Sequence, residues 1–212
     1  MINFISHRGL WNSINNQNSY QSFEEAIKNG FGIETDIRDH NSELIISHDM
    51  PQGKGGFITL NNFLEIYKQN KSSLILALNI KADGLSNHLS KSLELFNINN
   101  YFVFDMSIPD SLSYYNQSIN FYTRQSEHEQ KPVLYVESCG VWLDEFNSSW
   151  INADILKFHH ANRKGICIVS PELHGRDHKS RWKEYKKIVY DNPEIDINLC
   201  TDYPLEARSY FE

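Results

Sequence analysis

The sequence predicts an α/β fold, a small (β/α)8 TIM barrel with a short antiparallel excursion after its second strand. Short apolar or β-branched runs alternate with amphipathic segments of helical spacing along the chain. These runs recur often enough to supply eight strands, and strands linked by helical crossovers pair in parallel. The chain has 212 residues, near the lower limit of about 200 for such barrels, so some crossover helices should be short or missing.

The runs that predict strands are rich in β-branched and aromatic residues, as expected for strands buried on both faces. Most of them are too short to form helices. They comprise residues 2–6, 32–37, 44–47, 74–80, 101–106, 119–123, 133–136, 140–143, 155–158, 166–169 and 195–200.

Four segments between these runs repeat apolar residues at helical spacing. Ser19 or Ser22 offers an N-cap for the first of them, and Gly30 follows as a stop. The four apolar faces consist of Phe23, Ala26 and Ile27; of Leu60, Phe63, Leu64 and Tyr67; of Leu85, Leu89, Leu93 and Phe96; and of Trp182, Tyr185, Ile188 and Val189. The intervals 104–123 and 123–141 lack such a pattern, so we expect trimmed units there.

The third run lies close behind the second. Only the turn 39–42 separates the strand ending near Ile37 from the run 44–47, which is hairpin spacing. We expect an antiparallel excursion here, which brings His48 and Asp49 back towards the mouth of the barrel.

Composition excludes several classes of protein. The 20 Lys and Arg residues against 27 Asp and Glu residues give a net charge of −7, which repels a nucleic-acid backbone. A hydrophobic content of 40% is too high for a disordered chain. Mean hydropathy is −0.51 and no long apolar run exists, so we expect no transmembrane segment. With neither linker nor low-complexity tract, residues 1–212 should form one domain.

The cysteines indicate a reducing compartment. Cys139, Cys167 and Cys200 are odd in number and lack CxxC spacing, so neither a disulfide framework nor a zinc site is expected, and all three should be buried. The strand 2–6 leaves no room for a targeting peptide, so a cytoplasmic location is the default. The pairs His159-His160 and His174/His178 lack a metal-binding pattern, and we expect them on the surface.

Polar side chains gather where the first strands end. In a parallel barrel the C-terminal strand ends converge on one face, where active sites of this architecture lie. Glu34 and Asp36 are two residues apart and therefore point to the same side of a strand, and two oxygen ligands suit Mg²⁺ or Ca²⁺. The segments concerned are His7-Arg8-Gly9, Glu34-Thr35-Asp36, His48-Asp49 and Asn79-Ile80-Lys81.

This combination of residue types suits the cleavage of a phosphodiester. A divalent cation, Arg8 and Lys81 can neutralise charge on the phosphate oxygens. His7 and His48 can take a proton from the nucleophile and give one to the leaving oxygen, because imidazole titrates near neutral pH. The sequence therefore predicts a phosphodiester-cleaving site at these strand ends.

The same residues resemble a known family. The segments His7-Arg8-Gly9, 18–23, 33–38 and 46–49 look, in order and spacing, like the opening of the glycerophosphodiester phosphodiesterases. The closing segment 200–204 is similar to that family's last barrel strand. The resemblance implies a TIM barrel like that of phosphatidylinositol phospholipase C and a divalent cation. It also implies His7 and His48 as acid and base, Arg8 as phosphate ligand, and Glu34 and Asp36 as metal ligands.

Two departures from that family concern binding. The family's third strand usually presents Glu-x-Lys, whereas here Asn79 takes the glutamate position and Lys81 is retained. Asn79 can ligate a cation through its amide oxygen but adds no charge, so the metal binds more weakly or Glu172 completes its shell. Late in the chain, Arg124, Trp142 and Glu172 are the candidate substrate-binding residues, in place of the family's usual aromatic strand.

The function expected from the sequence is a metal-dependent phosphodiesterase acting on a small glycerol-, sugar- or polyol-linked phosphodiester. If a neighbouring hydroxyl of the substrate attacks instead of water, the product is a cyclic phosphate and the enzyme is a lyase. One alternative is a barrel that binds a phosphorylated sugar or polyol with little or no catalysis. Another is an isomerase or aldolase that uses Lys81.

Overall fold

Strands and helices alternate along the chain in the computed structural model, which describes residues 1–53, 56–70 and 73–212. They fall into two compact units, which we call the N-terminal unit (Ser6–Phe121) and the C-terminal unit (Met1–Ile5 with Tyr122–Glu212). Strand β1 (Ile2–His7) has residues in both. The elements that follow in the N-terminal unit are α1 (Tyr20–Lys28), β2 (Gly32–His40), β3 (Glu43–Ile46), α2 (Leu60–Gln69), β4 (Leu76–Ile80), α3 (Ser86–Leu95), β5 (Tyr101–Phe104) and α4 (Ile108–Asn116).

The C-terminal unit continues the alternation. Its elements after β1 are β6 (Tyr122–Gln125), β7 (Gly140–Leu143), α5 (Ala153–Ala161), β8 (Gly165–Val169), α6 (Lys179–Asp191), β9 (Ile197–Thr201) and α7 (Pro204–Phe211). Short 3₁₀ turns at Ile14–Asn16 and Pro171–His174 follow β1 and β8. In the parts of the chain that the structure describes, eight parallel strands with intervening helices and one additional strand, β3, confirm the predicted fold class, a small (β/α)8 barrel.

In the N-terminal unit the strands β2, β4 and β5 are parallel neighbours in that order. Strand β3 pairs antiparallel with β2, which confirms the predicted excursion. Asn41 and Ser42 form its two-residue turn, with φ of 49° and 67°. Positive φ at both central residues is typical of the hairpin turns that match strand twist.

Helix α1 is fixed at both ends by its sequence. The Ser19 hydroxyl accepts from the Ser22 backbone N–H while the Ser22 hydroxyl accepts from the Ser19 N–H, so Ser19 is the N-cap. Gly30 ends the segment at a φ of 76°. Phe23 packs against Phe63 of α2 with ring centroids 4.5 Å apart, and both side chains are fully buried. Burying two such rings stabilises the unit by about 3 to 6 kcal/mol.

In the C-terminal unit the strands β6, β7, β8 and β9 are parallel neighbours in that order. Alternate residues of the central strands face the helices, as period-2 side chains must. They pack with α5, α6 and α7 into one buried apolar cluster, which includes Val141, Leu143, Ile166, Ile168, Leu199, Leu156, Trp182 and Ala207.

Several expectations about elements are wrong. The run 155–158 belongs to helix α5 instead of a strand, and residues 133–136 form a turn. The interval after β5 is not trimmed, because it holds helix α4, which Ser107 caps by accepting from the Asp110 N–H. The trimmed unit after β6 is confirmed: residues 126–139, all described, form turns and no helix.

Burial corrects two further expectations. Cys167 and Cys200 are buried as expected, but Cys139 is exposed. His159, expected on the surface, is buried between the Tyr135 hydroxyl and the Gln125 side chain. Among the described residues, we find no helix with the length and apolar character needed to cross a membrane.

Candidate active site

The N-terminal unit brings together most of the predicted site residues. His7 is the last residue of β1 and Arg8 follows it, while Glu34 and Asp36 lie on one side of β2. Asn79 stands opposite Asp36 in the β2–β4 register, and the backbone N–H of Lys81 donates to Ile37 O at the end of the same pair. Parallel pairing thus places strand-end side chains beside one another.

Asp36 is the centre of this cluster. Its carboxylate is fully buried and faces two cations, with Arg8 Nε 3.0 Å from Oδ2 and Lys81 Nζ 3.3 Å from Oδ1. The Asn18 side-chain amide donates to Oδ2 at 2.9 Å. A buried carboxylate is tolerated only when paired and hydrogen-bonded, and Asp36 meets both conditions.

Glu34 lies beside this ion pair, also buried. Its Oε2 accepts from the Arg8 backbone N–H at 3.2 Å and lies 3.8 Å from His7 Nε2. Burial raises the pKa of Glu34 to about 7, and the Asp36 carboxylate adds to this, while His7, Arg8 and Lys81 act in the opposite direction. Glu34 therefore changes its protonation near neutral pH.

The two candidate catalytic histidines have different surroundings. The His7 side chain is mostly buried, and the Trp11 indole N–H donates to its carbonyl at 2.8 Å. The His48 side chain is 46% exposed, and its Nδ1 lies 2.8 Å from Asp49 Oδ1. The hydrogen bond between Asp49 and His48, together with the charge of the histidine, holds the pKa of Asp49 below its usual value. Arg38 Nε donates to the His48 carbonyl at 3.2 Å, which ties this segment to β2.

A strained turn follows β1. Arg8 and Gly9 have φ of 57° and 84°, in the left-handed region. A Cβ on Gly9 would lie 2.6 Å from the Ser22 hydroxyl and 2.8 Å from the Ser22 carbonyl carbon, so only glycine fits. Leu10 N donates to Ser22 O at 2.8 Å, which holds the turn against the start of α1.

The donor set at Asp36 and Asn79 fits a hard divalent cation. Asn79 is 8% exposed, and its Oδ1 has no hydrogen-bond partner among the described residues. Asp36 Oδ1 also accepts no hydrogen bond there, although Lys81 faces it. Two carboxylates and an amide oxygen are ligand types that Mg²⁺ and Ca²⁺ accept. In the described parts of the chain no group of three or more His, Cys, Asp or Glu side chains is arranged to hold a metal.

The remaining candidates lie in the C-terminal unit. Arg124 Nε lies 3.3 Å from Asp144 Oδ2 and 3.7 Å from Glu129 Oε2. Trp142 stands opposite Arg124 in the β6–β7 register and is buried. Neither Asp144 nor Glu129 was identified from the sequence as a candidate site residue.

Glu172 is held separately, at the ends of β8 and β9. Its carboxylate accepts from the Ser170 and Thr201 hydroxyls and, at 3.2 Å, from the Asp202 backbone N–H. His178 Nδ1 lies 3.9 Å from Glu172 Oε2. These partners satisfy the carboxylate within its own unit.

The sequence pattern did not indicate two polar contacts, one in each unit. Asn18 contacts Asp36, although it was recognised only as part of a helix start. In the C-terminal unit, His174 Nε2 lies 2.9 Å from Asp144 Oδ1. Asp144 directly follows β7, so its position at a strand end was a signal that could have identified it.

Comparison with known proteins extends the fold assignment. Neither a protein-family model nor a curated protein sequence matches the chain. Among solved structures, a candidate glycerophosphodiester phosphodiesterase from Galdieria sulphuraria is 15% identical, with a TM-score of 0.78 over 100% of this chain and 98% of its own.

Two further solved structures are of a phosphodiesterase with a bound product and of a Ca²⁺-dependent phospholipase. A phosphodiesterase from Oleispira antarctica, in complex with its product sn-glycerol-3-phosphate, is 15% identical, with a TM-score of 0.65 over 98% of this chain and 95% of its own. A Ca²⁺-dependent phosphatidylinositol-specific phospholipase C from Streptomyces antibioticus is 7% identical, with a TM-score of 0.63 over 100% and 96%. The chain therefore has the fold of these phosphodiesterases, as the resemblance in its opening segments implied.

Proposed function

We propose that the protein is a phosphoric diester hydrolase that cleaves a small glycerol-, sugar- or polyol-linked phosphodiester. The observation that carries this proposal is the buried Asp36 carboxylate between Arg8 and Lys81, with the His7–Glu34 pair beside it. Two fixed cations can neutralise the phosphate oxygens and an adjacent imidazole can transfer a proton, and both contributions assist phosphodiester cleavage. The shared fold with glycerophosphodiester phosphodiesterases supports the same reaction class.

Arg8 and Lys81 bind the phosphate in this proposal. Both side chains are about four-fifths buried, so their charges are screened less than those of surface cations. Asp36 fixes both and leaves their remaining N–H groups to meet the phosphate oxygens. They neutralise the charge that accumulates on those oxygens as phosphorus becomes five-coordinate.

His7 and His48 act as general acid and base. One ring takes the proton of the attacking hydroxyl, and the other gives a proton to the leaving oxygen, so the leaving group departs as a neutral alcohol and not as an alkoxide. Glu34 orients His7, and Asp49 orients His48. If water attacks, the products are a phosphomonoester and an alcohol; if a hydroxyl of the substrate attacks, a cyclic phosphate forms.

Glu34, Asp36 and Asn79 would hold a divalent cation, Mg²⁺ or Ca²⁺. When bound, such an ion neutralises phosphate charge that Arg8 and Lys81 also face. Asn79 supports this assignment, because its buried Oδ1 accepts no hydrogen bond from any described residue. A similar fold in an enzyme described as Ca²⁺-dependent is consistent with it.

Arg124, Trp142 and Glu172 stay a prediction as substrate-binding residues. Arg124 is the clearest case, because its side chain is about one-third exposed and lies at the end of β6, where active sites of this architecture are found. Single alanine variants test the prediction: a substrate contact raises KM, whereas a structural residue lowers only the yield of folded protein.

A second candidate function is binding of a phosphorylated polyol without turnover. It is favoured by the Arg8 and Lys81 side chains that face Asp36 and by the uncharged Asn79, since both lower the negative charge that the site offers a divalent cation. Calorimetric titration that shows phosphoester binding with no product at any metal concentration supports this candidate.

The proposed function is tested with bis(p-nitrophenyl) phosphate and glycerophosphodiesters in Mg²⁺, Ca²⁺ or EDTA. Removing one acid–base group should slow cleavage about 10²- to 10⁴-fold, so His7→Ala and His48→Ala should each be nearly inactive. His88→Ala, on the exposed surface of α3, is the matched control and should keep full activity. Cleavage indifferent to both active-site substitutions would overturn the assignment.

A further inference from the structure

We propose that Asn18 is a positioning residue, which holds Arg8 and Asp36 in the arrangement that binds phosphate. This inference rests on the proposed function, because it concerns the same site. Asn18 stands outside the strands, between the 3₁₀ turn at Ile14–Asn16 and helix α1. It contacts Asp36 by its side chain and Arg8 by its backbone.

Both the nitrogen and the oxygen of the Asn18 side-chain amide make hydrogen bonds. Its Nδ2 donates to Asp36 Oδ2 at 2.9 Å, and its Oδ1 accepts from the Thr35 hydroxyl at 2.7 Å. Thr35 is fully buried, so its hydroxyl needs this acceptor. Because a donor meets one end of the amide and an acceptor meets the other, the amide has one orientation.

The backbone of Asn18 holds the other half of the ion pair. Its N–H donates to the Arg8 carbonyl at 2.9 Å, and the Ser22 hydroxyl donates to the same carbonyl at 3.2 Å. Asn18 has a φ of 52°, a left-handed conformation that Asn adopts more readily than most residues. One residue therefore spans both members of the 3.0 Å Arg8–Asp36 contact.

The guanidinium of Arg8 is steadied from the same segment. Arg8 Nη1 donates to Gln17 Oε1 at 3.1 Å, next to the Asn18 contact. Ser19 then caps α1 through the capping box, which joins the segment to a helix whose apolar face is buried. The proposed phosphate-binding arginine is thus held by Gln17 and Asn18, which lie directly before α1.

Loss of the Asn18 amide would free Asp36 to rotate. Among the described residues, Oδ2 would then face only Arg8, and the carboxylate would no longer be held at a fixed distance from both Arg8 and Lys81. Displacements of about 1 Å in positioning groups are enough to lower catalysis about 10²-fold. The effect should reach phosphate binding as well, because both cations are oriented through Asp36.

The decisive variant is Asn18→Gly, which removes the amide while keeping the left-handed backbone accessible. We expect the Kd for inorganic phosphate and the KM for a glycerophosphodiester each to rise about tenfold, the size expected for one hydrogen bond to a charged group. Asn15→Gly, an exposed position in the same segment, is the matched control and should leave both constants unchanged.

Two more variants separate positioning from folding. Asn18→Asp keeps the backbone preference and the acceptor for Thr35 but turns a carboxylate towards Asp36, so it should weaken phosphate binding more than Asn18→Gly. Thr35→Val should weaken it less than Asn18→Gly, because only the orientation of the amide is loosened. Kd and KM report on folded molecules, so a loss of folded protein alone would not move them.

The outcomes distinguish this inference from the proposed function. If wild type cleaves the diester and Asn18→Gly and Asn18→Asp keep its Kd and KM, the positioning role is wrong and the function stands. If wild type binds phosphate without cleaving any diester, and the Asn18 variants bind it more weakly, the positioning role stands and the function is wrong. Wild type that neither binds phosphate nor cleaves contradicts both.

Discussion

At the scale of single residues, the site is a balance of charges around one buried carboxylate. Arg8 and Lys81 face Asp36 from two sides, and Glu34 is buried next to them with a raised pKa. Asn79 adds an oxygen without a charge. This arrangement gives an acidic protein, with a net charge of −7, a local positive centre, which the proposed phosphodiester substrate would need.

A prediction at this scale concerns Asn79. Asn79→Asp adds a carboxylate opposite Asp36 without changing side-chain size, so Ca²⁺ affinity measured by calorimetry should rise about tenfold or more. Asn62→Asp adds the same charge on the exposed face of α2 and should have little effect. Unchanged Ca²⁺ binding in Asn79→Asp would argue against Asn79 as a ligand position.

At the scale of elements, the approach of the β1–α1 turn to the helix start determines where Arg8 lies. Ser19 caps α1, the Ser22 hydroxyl reaches the Arg8 carbonyl, and Gly9 leaves the space for both. The site therefore depends on a turn whose conformation only a few residue types can adopt.

Gly9→Ala tests this close approach. Its Cβ would lie 2.6 Å from the Ser22 hydroxyl, in addition to the strain of a φ of 84°, so the free energy of unfolding should fall by about 3 kcal/mol or more. Gly30→Ala carries a similar φ, 76°, with no described atom within 4 Å, and should cost only about 1 to 2 kcal/mol. Equal losses in urea unfolding would refute the steric part of the argument.

The buried His159 of helix α5 should make the stability of the protein depend on pH. Burial lowers the pKa of His159 to about 4, with a smaller effect from Lys164, so the ring is neutral in the folded protein at pH 6. The unfolded chain binds this proton near pH 6.5, so stability falls as pH drops from about 6.5 to 4, by up to about 3 kcal/mol.

His159→Gln should remove the part of the pH-dependent loss of stability that comes from the His159 ring. Urea unfolding of wild type and variant across this pH range measures it, and the slope of the variant should be shallower. His160→Gln, exposed one residue further along α5, should keep the wild-type slope. Parallel curves for wild type and His159→Gln would show that another group controls this window.

At the scale of the whole molecule, the alternation of strands and helices could be predicted because it follows from local periodicity. The run 155–158 was misassigned because a short apolar run does not distinguish a strand from a buried helix, and Leu156 and His159 are the buried residues of α5. Helix α4 was missed although Ser107, Pro109 and Asp110 form a helix-start pattern.

The site could be predicted because its polar residues follow one another along the chain at the ends of successive N-terminal strands. The sequence could not show what surrounds each group. His159 is buried because Tyr135 and Gln125, 24 and 34 residues away, satisfy its two nitrogens. Asn18 meets Asp36 across 18 residues, and no local pattern reports such a contact.

The central claim is that the cluster around Asp36 cleaves a phosphodiester with His7 and His48 as acid and base. The most direct measurement is ³¹P NMR of a glycerophosphodiester incubated with the protein in ¹⁸O-labelled water, with Mg²⁺ or Ca²⁺ supplied. We predict loss of the diester signal and a phosphomonoester carrying ¹⁸O, with the reaction nearly abolished in His7→Ala and His48→Ala. A diester signal that stays unchanged under every metal condition, or that disappears equally fast in both variants, would contradict the account.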